Sequence, residues 1–285
     1  MDTVLRVGAW LLPLLCYSRE AWAWGLQTHF YFAQLLLWVT PLADPRFRNA
    51  LTRFPELLLA GCCLPDLSLF SRHAGADALR TTHQWSAAHR LLRGAATDEE
   101  RALAVGYASH LVTDIVAHNY FVPAHETLWF DTPMMTHAAC EWAMDAHVAR
   151  NLFATPAQVM GGQLERIADY ASYGFHCPRP AARRAIRYLL RGERLLRGVG
   201  LGPAIYRIAR AADRSLPRRF DYYAQETTAR LTQINRVIAG DAPVWAAEVA
   251  CPRSARAELQ GHSARTLAYR LPLPRNFFAR AGREP

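Results

Sequence analysis

The stretch His110-Leu-Val-Thr-Asp114-Ile-Val-Ala-His118 decides the reading of this chain. Its titratable residues recur every four positions, and on an α-helix positions i, i+4 and i+8 fall on one face. Leu111, Val112, Ile115 and Val116 make that helix apolar almost all round. It is therefore expected to be buried, where polar groups need partners. Two imidazoles and a carboxylate presented together are a usual ligand set for zinc. A second instance of the idea follows at His137-Ala-Ala-Cys-Glu141, and further candidate ligands stand upstream at Trp24, His29, Asp66 and His83.

Around this stretch, apolar residues recur at three and four positions, and period-two alternation is nearly absent. Helices are expected over residues 29–39, 49–63, 81–93, 98–120, 133–153, 156–173, 181–197, 203–212 and 218–239. Asp98-Glu99-Glu100 supplies the acidic first turn of the 98–120 helix, where negative charge meets the helix dipole favourably. Val122-Pro123 is expected to stop that helix, since proline lacks an N–H and crowds the preceding turn. The expected fold is all-α, a single multi-helix domain that aims side chains inward from its core helices. Three regions follow: a signal segment 1–23, a metal-binding helical core 24–175, and an Arg-rich helical C-terminal region 176–285.

The composition, 51% hydrophobic and 20% charged over 285 residues, is that of a globular protein with a large core. The net charge is +9, and every basic residue is arginine. Guanidinium forks bind phosphate bidentately, which suits an anionic substrate or membrane surface; a coding bias towards arginine is the competing explanation. Arg6, the apolar run 7–17 and Ala21-Trp22-Ala23 read as a cleavable secretory signal. Cleavage would leave Trp24 as the first residue, with a free α-amine, in a secreted or periplasmic protein. An uncleaved signal would instead anchor the chain to a membrane. The vicinal pair Cys62-Cys63 offers either soft metal ligands or small buried apolar residues. Tyr120, Phe121, Trp129 and Phe130 either pack in the core or line a substrate pocket by stacking. No Gly-rich phosphate loop, zinc ribbon or GxSxG elbow is present.

Taken in order, the motifs are a Trp24-Gly25 at the expected mature N-terminus, His29, Pro65-Asp66, an isolated His83, an H-x3-D helix and an H-x3-E helix. This order, over residues 24–147, resembles the zinc-dependent phospholipase C and S1/P1 nuclease superfamily. The resemblance implies a helical fold holding up to three zinc ions in one cleft. One ion would take Asp66, His83, His110 and Asp114. A second would take His118, His137 and Glu141. A third would take His29, Asp114 and the backbone nitrogen and oxygen of Trp24, so that Asp114 bridges two ions. Asp66, near the nucleophile, would be the catalytic residue that orients it. The implied reaction is attack of a zinc-activated water on a phosphodiester, and the implied substrate a phospholipid or another phosphodiester, with peripheral membrane contact.

His83 fits the pattern better than His73 or His89. His118, four residues after Asp114, is preferred to His125, eleven after it, although the family's usual spacing there is six. Asp145 and His147 are expected to support the ligands or to lie at the surface. Trp24-x4-His29 resembles the nuclease branch, whereas Glu141 resembles the phospholipase branch, so the two markers disagree. Single-stranded nucleic acid is the alternative substrate. A non-catalytic, zinc-stabilised, membrane-associated protein is the alternative of a different class.

Overall fold

A computed structural model describes residues 25–129, 133–247 and 270–279. The expected signal segment, Trp24 and Phe130 lie outside the described residues. No strand occurs among those described, and the fold is all-α as expected.

At its centre runs α5 (Asp98–Val116), buried on every side from residue 102 to residue 116. A capping box starts it: the Thr97 hydroxyl accepts from the Glu100 N–H while the Glu100 carboxylate accepts from the Thr97 N–H. Around it pack α1 (Leu26–Trp38), α2 (Pro45–Arg53), α3 (Pro55–Gly61) and α4 (Trp85–Gly94). The chain continues through α6 (Val122–Leu128), α7 (Pro133–Val148), α8 (Pro156–Gly162), α9 (Leu164–Phe175), α10 (Arg179–Gly198), α11 (Leu201–Ala212), α12 (Leu216–Arg230) and α13 (Ile234–Ile238).

Several expected boundaries are corrected. The 49–63 helix is broken between α2 and α3, where Pro55 cannot continue the hydrogen-bond ladder. The 81–93 helix begins only at Trp85, which leaves His83 in a turn. The 156–173 segment divides between α8 and α9 at Gln163. Val122-Pro123 does not stop the chain. A π-helical turn, Ala117–Phe121, widens the spiral so that the Val122 N–H reaches the Ala117 carbonyl. Pro123 then falls in the first turn of α6, where a missing N–H costs little.

Glycine decides how closely α3 meets α5. A Cβ on Gly106 would stand 2.9 Å from the Cys62 nitrogen and closer still to the Leu58 carbonyl oxygen, and one on Gly61 would collide with the Leu103 carbonyl. The two backbones therefore touch reciprocally, which sets the Cys62 carbonyl against α5. Gly202 repeats the device between α11 and α7, since a Cβ there would lie 2.7 Å from the Trp142 carbonyl oxygen. His147 adds to this anchorage, bonding Tyr206 of α11 through Nδ1 at 3.0 Å and Asp221 of α12 through Nε2 at 2.8 Å.

Gly106→Ala is expected to wedge α3 from α5. Overpacking of this kind costs about 1–3 kcal/mol, or roughly 2–12 °C in Tm for a chain of this size. Thermal melts of metal-stripped protein measure it. Gly162→Ala, which meets no neighbour within 4 Å, is the control that should not lower Tm.

Candidate metal centre

Four separate pieces of chain converge on Asp114. His29 lies one turn into α1. Asp66 sits in a 3-10 turn (Pro65–Phe70), and His83 in the turn before α4. His110 and Asp114 are on α5, His118 on the π turn, and His137 and Glu141 on α7. All are buried, none more than 6% exposed. Three groups bring their ligand atoms within 4.8 Å of one another: His29, His110 and Asp114; Asp66, His83 and His110; His118, His137 and Glu141.

Asp114 directs its oxygens in two ways. Oδ1 lies 3.2 Å from His29 Nε2 and 3.9 Å from His118 Nε2, and Oδ2 lies 3.0 Å from His110 Nε2 and 3.8 Å from His83 Nε2. Asp66 Oδ1 is 3.8 Å from both His83 Nε2 and His110 Nε2. On α7, His137 Nε2 faces Glu141 Oε1 at 2.7 Å. The side chains of the expected sets thus lie close together, Trp24 of the third set falling outside the described residues, with one difference: His110 stands between two of them, its ring stacked on His29 with centroids 3.5 Å apart.

The hydrogen bonds fix which nitrogens carry lone pairs. Thr113 donates its hydroxyl to the His110 carbonyl, so its oxygen accepts from His29 Nδ1–H at 3.0 Å. His110 Nδ1–H donates to the Cys62 carbonyl at 2.8 Å. In both rings Nε2 is left as a bare lone pair turned towards a carboxylate oxygen and, for His110, towards His83 Nε2 at 3.2 Å. His29 Nε2, both Asp114 oxygens, both His118 nitrogens and Glu141 Oε1 are buried with no hydrogen bond.

Acceptors facing acceptors repel unless a positive charge lies between them. The imidazoles do not supply it: burial pulls His29 and His110 down to about 3, and His83 and His118 well below the usual histidine range. Burial likewise pushes Asp66 and Glu141 well above the carboxylate range and Asp114 up to about 6. Neutral imidazoles and carboxylates with no hydrogen-bond donor form a donor set that fits zinc.

Neighbouring contacts hold the pieces in register. Tyr107 on α5 donates to the Thr82 carbonyl, and the Thr82 hydroxyl donates to the Pro65 carbonyl at 2.5 Å, which ties the His83 and Asp66 turns to α5. Asp145 supports the ligands from α7. Its Oδ1 accepts from the Thr28 N–H at 2.8 Å and the Thr28 hydroxyl at 2.6 Å, and its Oδ2 accepts from the Gln27 N–H at 3.3 Å. It caps α1 across the molecule, doing the work of an N-cap side chain. Gly25 has no side chain to spare there, because a Cβ would lie 2.3 Å from the Asp145 carboxylate.

Other expected residues fall elsewhere. His125 spends both nitrogens, donating from Nδ1 to the Phe121 carbonyl at 2.7 Å and accepting at Nε2 from the buried Arg219 at 3.0 Å. Cys62 and Cys63 are buried thiols that donate to the Leu59 carbonyl and belong to none of the three groups. Tyr120 packs on Trp245, Phe121 on Phe220 and Tyr223, and Trp129 on His125. None of these aromatics lines the cleft beside the cluster. That cleft, of about 260 Å³, has Asp66, Glu141 and Asp145 on its floor and Phe70, Trp142 and Leu189 in its walls. Its far wall, from α10 and α11, was not read from the sequence. Thr113, by contrast, lies inside the opening motif.

Two substitutions test the centre. Asp114→Asn keeps the shape but replaces one ligand oxygen with a non-ligating amide nitrogen and leaves the other as a weaker neutral donor, and is expected to lower bound zinc by more than one ion per chain by elemental analysis. Thr113→Val removes the bond that orients His29 while leaving a similar volume. Loss of such an outer partner weakens metal binding by about 10–100-fold, measurable by chelator competition.

A family model described as zinc dependent phospholipase C matches residues 28–184. Neither curated proteins nor solved structures show a significant match to the chain. The matched span covers more than half of the sequence and takes in His29, Asp66, His83, His110, Asp114, His118, His137 and Glu141. The chain belongs to the zinc dependent phospholipase C family.

Proposed function

We propose that this protein is a secreted phospholipase C that hydrolyses the phosphodiester of a phospholipid. One observation carries the choice of substrate: the acidic members of the cluster form the polar floor of a cleft whose walls are mostly apolar, with Leu69, Phe70, Trp142, Leu189 and Leu196 beside Gln27, Glu193 and Arg197. A lipid presents that combination, an anionic diester attached to an apolar body. The signal-like residues 1–23 support secretion.

The residues that would hold zinc are Asp66, His83, His110 and Asp114 for one ion, His118, His137 and Glu141 for another, and His29 with Asp114 for a third, completed by the amine and carbonyl of Trp24. When bound, zinc supplies Lewis acidity to the phosphate and lowers the pKa of water towards ~7. Asp66 reaches both the cluster and the cleft, and its carboxylate is the group we assign to orient the attacking water and take its proton. Asp145 keeps α1, and with it His29, in place. The apolar walls hold the glyceryl portion of the substrate and exclude bulk water from the diester.

Zinc-loaded mature protein, given phospholipid in mixed micelles and single-stranded DNA in parallel, should release diacylglycerol and a phosphorylated head group and leave the DNA intact. If a zinc-replete preparation frees no diacylglycerol from any phospholipid, the reading fails. DNA cleavage in its place would make the chain an S1/P1-type nuclease.

A further inference from the structure

We infer that the helical hairpin α10–α11 is a docking surface for an anionic lipid bilayer, and that it sets the mouth of the cleft against the membrane. The inference rests on the phospholipid reading for its purpose, and its test separates the two.

Among the residues lining the cleft, those exposed to solvent are Leu195, Arg197 and Pro203. All three belong to the hairpin, so the hairpin is the rim through which a substrate arrives. Leu195 on α10 and Val199, one turn on at its C-cap, are 45% and 41% exposed. They lie along an edge of the helix, beside the face that Leu189, Gly192 and Leu196 turn to the cleft. An apolar edge at the mouth of an apolar cleft is suited to entering a bilayer interface.

Charge selects the surface. Between residues 179 and 219 twelve arginines stand against Glu193 and Asp213, a net +10, where the whole chain carries +9. The excess positive charge of the molecule is therefore carried by this segment, and the remainder of the chain is close to neutral. The charge is also unevenly neutralised. At the far end of α10, Arg179 pairs with Glu165 and Asp169, and Arg183 pairs with Glu165. At the cleft end, Arg187, Arg191 and Arg194 are exposed and recur at four and three positions, forming one row. Among the described residues no carboxylate stands within ion-pair distance of any of these three, although Glu193 feels the charge of Arg194. A row of exposed guanidiniums next to an apolar edge matches anionic head groups above acyl chains. No described helix is long and apolar enough to cross a membrane, and the contact proposed for the hairpin is a peripheral one.

The experiment is flotation of zinc-loaded protein with two kinds of vesicle, phosphatidylcholine alone and phosphatidylcholine with about 30% phosphatidylglycerol, a content that makes the surface strongly anionic. Binding is expected to the anionic vesicles, weakening towards ~0.5 M salt as screening shortens the reach of the arginines. The triple variant Arg187→Glu, Arg191→Glu, Arg194→Glu should lose binding by roughly 100-fold or more. It should keep its zinc content and its rate on a short-chain phospholipid below the micelle concentration. Should that variant not fold, Arg191→Gln with Arg194→Gln asks the same question, with about a 10-fold loss expected. Failure to float with anionic vesicles, equal binding to both kinds, or undiminished binding by a folded variant overturns the inference. Binding to single-stranded DNA without vesicle binding overturns it in favour of a nucleic-acid surface. Vesicle binding with no turnover of the soluble lipid leaves the docking surface standing and removes the catalytic reading.

Discussion

The arrangement depends on one electrostatic conflict, two carboxylate oxygens of Asp114 turned towards lone pairs of His29 and His110 in a fully buried helix. At neutral pH nothing in the polypeptide resolves it, although protonation of Asp114, whose carboxyl burial pushes up to about 6, would do so in acid. The Nδ1 protons of both rings are committed elsewhere, to Thr113 and to the Cys62 carbonyl. Burial opposes the alternative of protonating the rings. An uncompensated buried charge costs on the order of 3–5 kcal/mol, whereas a structural zinc ion in a zinc-finger peptide returns on the order of 10 kcal/mol. The cation term is the larger, so the cluster that opposes the bare fold favours the metal-bound one.

The surrounding structure holds that conflict in place. Close packing at Gly61 and Gly106 brings the Cys62 carbonyl within reach of His110. The relay from Tyr107 through Thr82 to Pro65 fixes the turns that carry His83 and Asp66. Asp145 gathers the free N–H groups at the start of α1 and so sets His29. Each contact joins segments distant in sequence, and each is short-range and directional. Together they impose geometry on ligands that would otherwise repel one another apart.

The ligand pattern was legible because its local periodicity and its chemistry coincide. His110 and Asp114 sit four apart on one helix, as do His137 and Glu141, and a polar row in a helix apolar on its other sides has few other uses. The all-α class followed from the same periodicity. What escaped depends on contacts that leave little local signal. Pro123 was expected to end a helix, but a π turn absorbs it, and that turn also carries His118. Asp145 looked like a supporting or surface residue. Its partners Gln27 and Thr28 are more than a hundred positions away, and no spacing rule connects them. The same holds for the cleft's far wall, since the packing of α11 over α7 is decided by Gly202 and His147 rather than by any motif.

The distribution of charge follows from this division of labour. Inside, the carboxylates Asp66, Asp114 and Glu141 concentrate negative charge where cations are to be held. A positive field to draw in an anionic substrate, as proposed, has to be supplied from elsewhere on the surface. An arginine row on the outer face of α10 meets that need without disturbing the ligands, because Glu193, the acidic side chain nearest it, is buried and turned to Arg197. Positive charge within the cleft would compete with the ions for the same carboxylates. On the rim it acts at longer range, through solvent, on head groups the metal site never touches. The segregation of arginine from the histidine and carboxylate cluster is thus what the proposed hydrolysis and the proposed docking would together require of one cleft.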